Sequence, residues 1–80
     1  MQENRKALRR RVLKAGSIAF DQGSVFSCVV RNMSDSGACL EFAVPVDIPE
    51  RFTLLIASDH VKRGCRLKWR KQTRIGVEFS

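Results

Sequence analysis

Two groups of residues in this 80-residue chain have the chemistry to hold an anion. Near the start, Arg5 and Arg9 lie four positions apart in Arg5-Lys6-Ala7-Leu8-Arg9, and Lys6 with Arg10 repeats the spacing. A guanidinium is a planar fork of donors, so it grips a phosphate or a guanine Hoogsteen edge through paired hydrogen bonds; an ammonium cannot. Further along, Asn32-Met33-Ser34-Asp35-Ser36-Gly37 supplies short side chains that both donate and accept. Gly37 there permits either a positive φ or the close approach of another backbone. Each group alone is ordinary. A basic run is most often a solvated tail, and Asn-x-Ser-x-x-Gly often does no more than cap its own turn.

The elements that must position these groups read as strands. In 61–70, Val61, Cys65, Leu67 and Trp69 share one parity, with Arg63 the exception, against Lys62, Gly64, Arg66, Lys68 and Arg70. That alternation describes a strand with one face on a core and the other in water, and it places Trp69 inward. Ile75, Val77 and Phe79 repeat the pattern in 74–79, and the short polar Lys71-Gln72 link predicts a hairpin. Ile18 with Phe20, then Phe26, Cys28 and Val30, then Ala38, Leu40 and Phe42, then Phe52, Leu54 and Ile56 mark four earlier strands. Turn residues separate them at Asp21-Gln22-Gly23, Ser34 to Gly37, Pro45 to Pro49 and Ser58-Asp59. About six short strands at this spacing favour an antiparallel barrel or sandwich. Residues 1–14 have helix propensity but no apolar stripe, so they read as a mobile basic arm ahead of a barrel domain at 15–80.

Charge is segregated along the chain. Residues 1–14 hold six cations and one anion, 15–60 hold two cations and six anions, and 61–80 hold seven cations and one anion. The total is +7, and cationic ends imply an anionic partner: a phosphate ligand, nucleic acid or a membrane surface. Eighty residues make one core and one shallow site, with no room for a deep catalytic cleft. Ser34 and Ser36 have no histidine placed to activate them, and the lone His60 reads as a surface residue beside Asp59, so an enzyme is not expected. Cys28, Cys39 and Cys65 lack C-x-x-C spacing, which leaves too few ligands for a metal site. Isolated cysteines on strands read as buried free thiols in a reducing, cytoplasmic setting. No apolar run approaches the roughly 20 residues that span a bilayer, so membrane insertion is not expected.

Taken together and in this order, the two groups resemble the signature of the PilZ domain family: R-x-x-x-R in an N-terminal stretch, then [D/N]-x-S-x-x-G at a strand turn. Arg5 and Arg9 match the first part, and Asn32, Ser34 and Gly37 the second. The resemblance extends through Ala38-Cys39-Leu40-Glu41-Phe42 to Trp69-Arg70 and Ile75-Gly76-Val77-Glu78-Phe79, nearly the whole chain. It implies an all-β, six-stranded antiparallel barrel that binds cyclic di-GMP, a bacterial second messenger, with no cofactor. By that resemblance Arg5 and Arg9 are candidates to clamp phosphate and guanine, with Asn32, Ser34 and Gly37 around a guanine from the other side; Arg10, four positions from Lys6, is a further candidate. Asn32 stands where Asp is commoner, which removes a carboxylate able to accept from guanine N1–H and N2–H₂. Asn4 rather than a further arginine precedes Arg5, which leans towards one ligand molecule instead of an intercalated pair.

Two further function classes compete with a cyclic di-GMP receptor that signals through an unidentified protein partner. A nucleic-acid-binding barrel would suit the basic ends, but single-strand binders stack bases on exposed aromatics. There is no Tyr, and Phe20, Phe26, Phe42, Phe52, Trp69 and Phe79 fall mostly on inward parity. Nucleic acid is therefore not the expected partner. A PilZ-like interaction domain that has lost the ligand is the other alternative, and the intact Arg5, Arg9, Asn32, Ser34 and Gly37 argue against it.

Overall fold

Period-two alternation resolves into six strands in a computed structural model, which describes residues 10–21 and 23–80. In chain order they are β1 (Arg10–Phe20), β2 (Ser24–Met33), β3 (Gly37–Glu41), β4 (Arg51–Ile56), β5 (Val61–Lys71) and β6 (Arg74–Phe79). A 3₁₀ turn, Ala57–Asp59, joins β4 to β5. The strands close into a barrel in the order β1-β2-β3-β6-β5-β4, and every neighbouring pair is antiparallel. The all-β, six-stranded barrel expected from the sequence is the fold observed. Strand pairing begins at Arg10, opposite Met33, so residues 10–14 of the expected arm belong to β1. Arg5 and Arg9 lie outside the described residues.

The barrel interior is filled by its own side chains. Ile18, Val30, Ala38, Leu40, Leu54 and Ile56 are fully buried, and Cys65, Ile75 and Val77 nearly so. Each such aliphatic side chain contributes about 1.5–3 kcal/mol by leaving water. No polar or charged side chain is buried among the described residues. The β3–β4 connection caps one end by dropping Ile48 into the core, with Val46 packed against it. Two bonds hold this connection to β5: the Leu67 amide donates to the Glu50 carbonyl at 2.8 Å, and the Arg70 guanidinium donates to the Val46 carbonyl. Arg63, the polar exception among the inward positions of β5, lies over the Phe79 ring at 4.4 Å and covers the core edge as a cation–π partner.

Two aromatic expectations need correction. Trp69 is 44% exposed and does not enter the core. Leu67 pairs with Val77 while Trp69 pairs with Gly76, so Lys68 is an extra residue that bulges β5. Alternation restarts after a bulge, and Trp69 lands on the outer face with Gly76. Phe26 keeps its inward register opposite Ile18 but sits at the barrel mouth, 39% exposed, stacked on Phe20 with centroids 5.6 Å apart. A second bulge places Arg31 as the extra residue of β2 against β3, where Val30 pairs with Leu40 and Asn32 with Cys39. Inward alternation therefore passes from Val30 to Met33, and Asn32 turns outward.

All three cysteines are buried and free. Burial pushes the Cys28 and Cys65 thiols up from 9.0 to about 11, and for Cys28 the neighbouring Cys65 adds to the shift. Between these values the folded protein keeps protons that the unfolded chain releases, so stability is intact below pH 9 and declines as pH rises towards 11. The expected loss is up to about 2 kcal/mol per thiol. Urea midpoints of the parent should fall between pH 8 and 11, and the Cys28→Ala/Cys65→Ala variant should show a shallower decline. Parallel declines would mean that these thiols ionise equally well in both states.

Candidate functional site

Cross-strand register assembles a row of residues on the outer face of the barrel. Arg11 pairs with Asn32, Asn32 with Cys39, Cys39 with Gly76 and Gly76 with Trp69, so one line crosses β1, β2, β3, β6 and β5. Both bulges are needed for it: Arg31 turns Asn32 outward and Lys68 turns Trp69 outward. Without them Asn32 and Trp69 would sit on inward parity, one a buried polar group and the other a core side chain.

Gly76 lets the row close up. A Cβ there would overlap the Trp69 indole at Nε1 and stand 2.7 Å from Cδ1, so the indole lies directly on the β6 backbone. That cover leaves Gly76 buried although it points outward. Cys39, beside Gly76 on the same face, is only 7% exposed. The indole thus forms a fixed aromatic floor with one face covered by protein and close to half its surface in solvent.

The turn between β2 and β3 borders this floor. The Ser34 amide donates to the Gly37 carbonyl at 2.9 Å, and the Ser36 amide donates to Ser34 Oγ at 3.2 Å. Ser34 Oγ also lies 3.4 Å from Ser36 Oγ. The Phe79 amide donates to the Ser36 carbonyl at 2.8 Å, which ties the turn to the end of β6. A Cβ on Gly37 would overlap the Val77 carbonyl oxygen, so of the two roles expected of this glycine it serves close backbone approach.

Between turn and tryptophan is a shallow cavity of about 110 Å³ lined by Ser36, Gly37, Lys68, Trp69, Gly76, Val77 and Glu78. It offers a cation, a carboxylate, hydroxyl and backbone polar groups, and an aromatic face. That set suits a planar, polar, negatively charged molecule better than a metal or an apolar one. Of Asn32, Ser34 and Gly37, only Gly37 lines this cavity, with Asn32 and Ser34 in the strand and turn beside it, whereas Lys68, Trp69 and Glu78 line it and were not singled out for a site. Arg10 begins β1 beside Met33, one residue beyond Asn32. Higher on the outer face, Glu41 accepts from Arg31 at 2.8 Å and lies 3.5 Å from Arg74, so its carboxylate is committed away from the cavity.

The described interior of the closed barrel is apolar, and every charged side chain described lies on its outside. The family model for the PilZ domain matches residues 3–80, and the chain belongs to that family, whose domains are cyclic di-GMP receptor modules rather than enzymes. No curated protein matches the chain. No helix among the described residues is long and apolar enough to cross a membrane.

Replacing Gly76 by alanine should lift the indole off β6. Overpacking of this kind costs about 1–3 kcal/mol. Urea denaturation should register the loss, and the emission of Trp69, the single tryptophan, should shift as its covered face is hydrated. Unchanged emission and stability would show that the indole does not rest on this glycine.

Proposed function

We propose that this domain is a cyclic di-GMP receptor in which residues 5–10 close over the outer-face floor of Asn32, Ser34, Gly37 and Trp69. One observation carries the reading: β1 starts with Arg10 opposite Met33 and Arg11 opposite Asn32. β1 therefore begins beside the turn at 34–37. An extended residue spans about 3.3–3.6 Å, so Arg9 and Arg5 are within reach of a ligand on that floor.

Each part of the ligand has a complementary group. Its two phosphates and guanine O6/N7 edges are acceptors, and the guanidinium forks of Arg5 and Arg9, with Arg10 as a further candidate, supply paired donors. One guanine stacks on the solvent face of Trp69, an interaction worth about 1–3 kcal/mol per base. Lys68 adds a positive charge to the same cavity. Glu78, exposed there, supplies the carboxylate that Asn32 lacks and accepts from guanine N1–H and N2–H₂. Charged hydrogen bonds contribute roughly 1.5–3 kcal/mol each, so a few of them with one stacked base reach the roughly 8 kcal/mol of a micromolar complex. The floor is held by backbone bonds and glycine contacts, so little is spent on ordering it. Binding reshapes the surface around residues 5–10, and a protein partner reads that change.

Calorimetric titration of the full chain with cyclic di-GMP, GTP, cyclic di-AMP and a single-stranded oligonucleotide tests the reading. Saturable binding of the first, with a change in Trp69 emission, is the expected result. Arg5→Ala and Arg9→Ala should each weaken it by about tenfold to a hundredfold while the urea midpoint stays put. No saturable heat with cyclic di-GMP would sink the proposal, and oligonucleotide binding that collapses with salt would replace it by a nucleic-acid function.

A further inference from the structure

The barrel is closed unevenly. β1 pairs with β2 from Arg10 to Phe20, but with β4 only at Ser17↔Leu55, Ile18↔Leu54 and Ala19↔Thr53. Beyond Ser17 the two strands part, because the chain leaves β4 at Ile56 and enters the 3₁₀ turn. The edge of β1 from 10 to 16 that faces away from β2 has no strand partner among the described residues. At about 3.3 Å per residue, that is roughly 20 Å of open edge. Lys14 and Asp59 reach across the gap as an exposed ion pair. Below it opens a cleft of about 550 Å³, whose walls include Ala15, Gly16, Leu55, Ile56 and Val61. Leu13, on the same half-strand, is 68% exposed, the most exposed of the large apolar residues described.

We propose that this edge of β1 is a docking site for an extended acidic segment of a partner protein, added as a further strand. Three observations select that occupant. An open strand edge presents backbone donors and acceptors in the pattern another strand completes. The exposed Leu13 and the apolar cleft alongside accept the apolar side chains that alternate along such a segment. The half-strand carries Arg10, Arg11 and Lys14, and the one acid reaching this edge, Asp59, is already paired with Lys14, which leaves the balance positive. The same charges disfavour a second copy of this chain, whose β1 would bring the same cations against them, and disfavour the cationic stretch 5–9. The proposal deepens the receptor reading by naming the partner's chemistry. The docking edge and the floor at Asn32 are opposite sides of one half-strand, so ligand and partner act on the same seven residues. Docking itself does not require the ligand.

The test uses the full chain without cyclic di-GMP, so its outcome is separate from that of the ligand titrations. The probe is a blocked peptide in which glutamate alternates with valine and leucine; a second peptide carries lysine for each glutamate. Amide exchange by NMR should show new protection confined to residues 10–16, saturable with the acidic peptide and absent with the basic one. Leu13→Glu changes an exposed side chain and should weaken binding by about tenfold with an unchanged urea midpoint. Lys14→Glu serves as a second variant, weakening binding to the same extent. Protection on β5 instead, equal binding of both peptides, or no saturable protection would each overturn the proposal. So would sedimentation showing that two chains pair through this edge.

Discussion

A six-stranded barrel has an interior only wide enough for its own side chains, and here that interior is entirely apolar among the described residues. A polar group placed inside without a partner costs free energy that so small a core does not have to spare. Recognition therefore has to be built on the outside, from residues that the strands turn away from the core. In a regular strand those positions are dictated by parity. Asn32 and Trp69 escape that rule only because β2 and β5 each carry one extra residue.

The two bulges and two glycines work as a unit. Arg31 and Lys68 set the direction of the side chains that follow them, while Gly37 and Gly76 bring backbone and indole into contact across three strands. The result is a surface that is polar, aromatic and held in place before anything binds. Its supporting bonds are mostly backbone to backbone, as at Ser34–Gly37 and Ser36–Phe79, so they do not compete with a ligand for side-chain donors.

Strand identity was legible because apolar parity is a local signal: Ile75, Val77, Leu40 and Leu54 all fall where alternation puts them. Arg63 was visible as the anomaly in β5, and its place over Phe79 explains it. The motif turn was legible too, since Asn, Ser and Gly types are demanded by local geometry. Trp69 was misread because the alternation from Gly64 to Arg70 is unbroken in sequence; the bulge at Lys68 exists only in register with β6. Lys68 and Glu78 were hidden for the same reason, because they meet at one cavity only after β5 and β6 pair. Phe26 has the parity of a core residue, and only its height in the barrel leaves it at the mouth.

The short contact between β1 and β4 also bears on how the barrel assembles. Its partners Ser17 and Leu55 are 38 positions apart, whereas the β1–β2 and β5–β6 hairpins join neighbours. Local hairpins form in about 1–10 μs, but a distant pairing must first meet the entropy of closing its loop. Only three residue pairs offset that entropy at this seam, the fewest of the six strand pairings described. The ladder that completes the ring is thus its shortest, and closure there leans on side-chain packing such as that of Ile18 and Leu54 more than on backbone bonds.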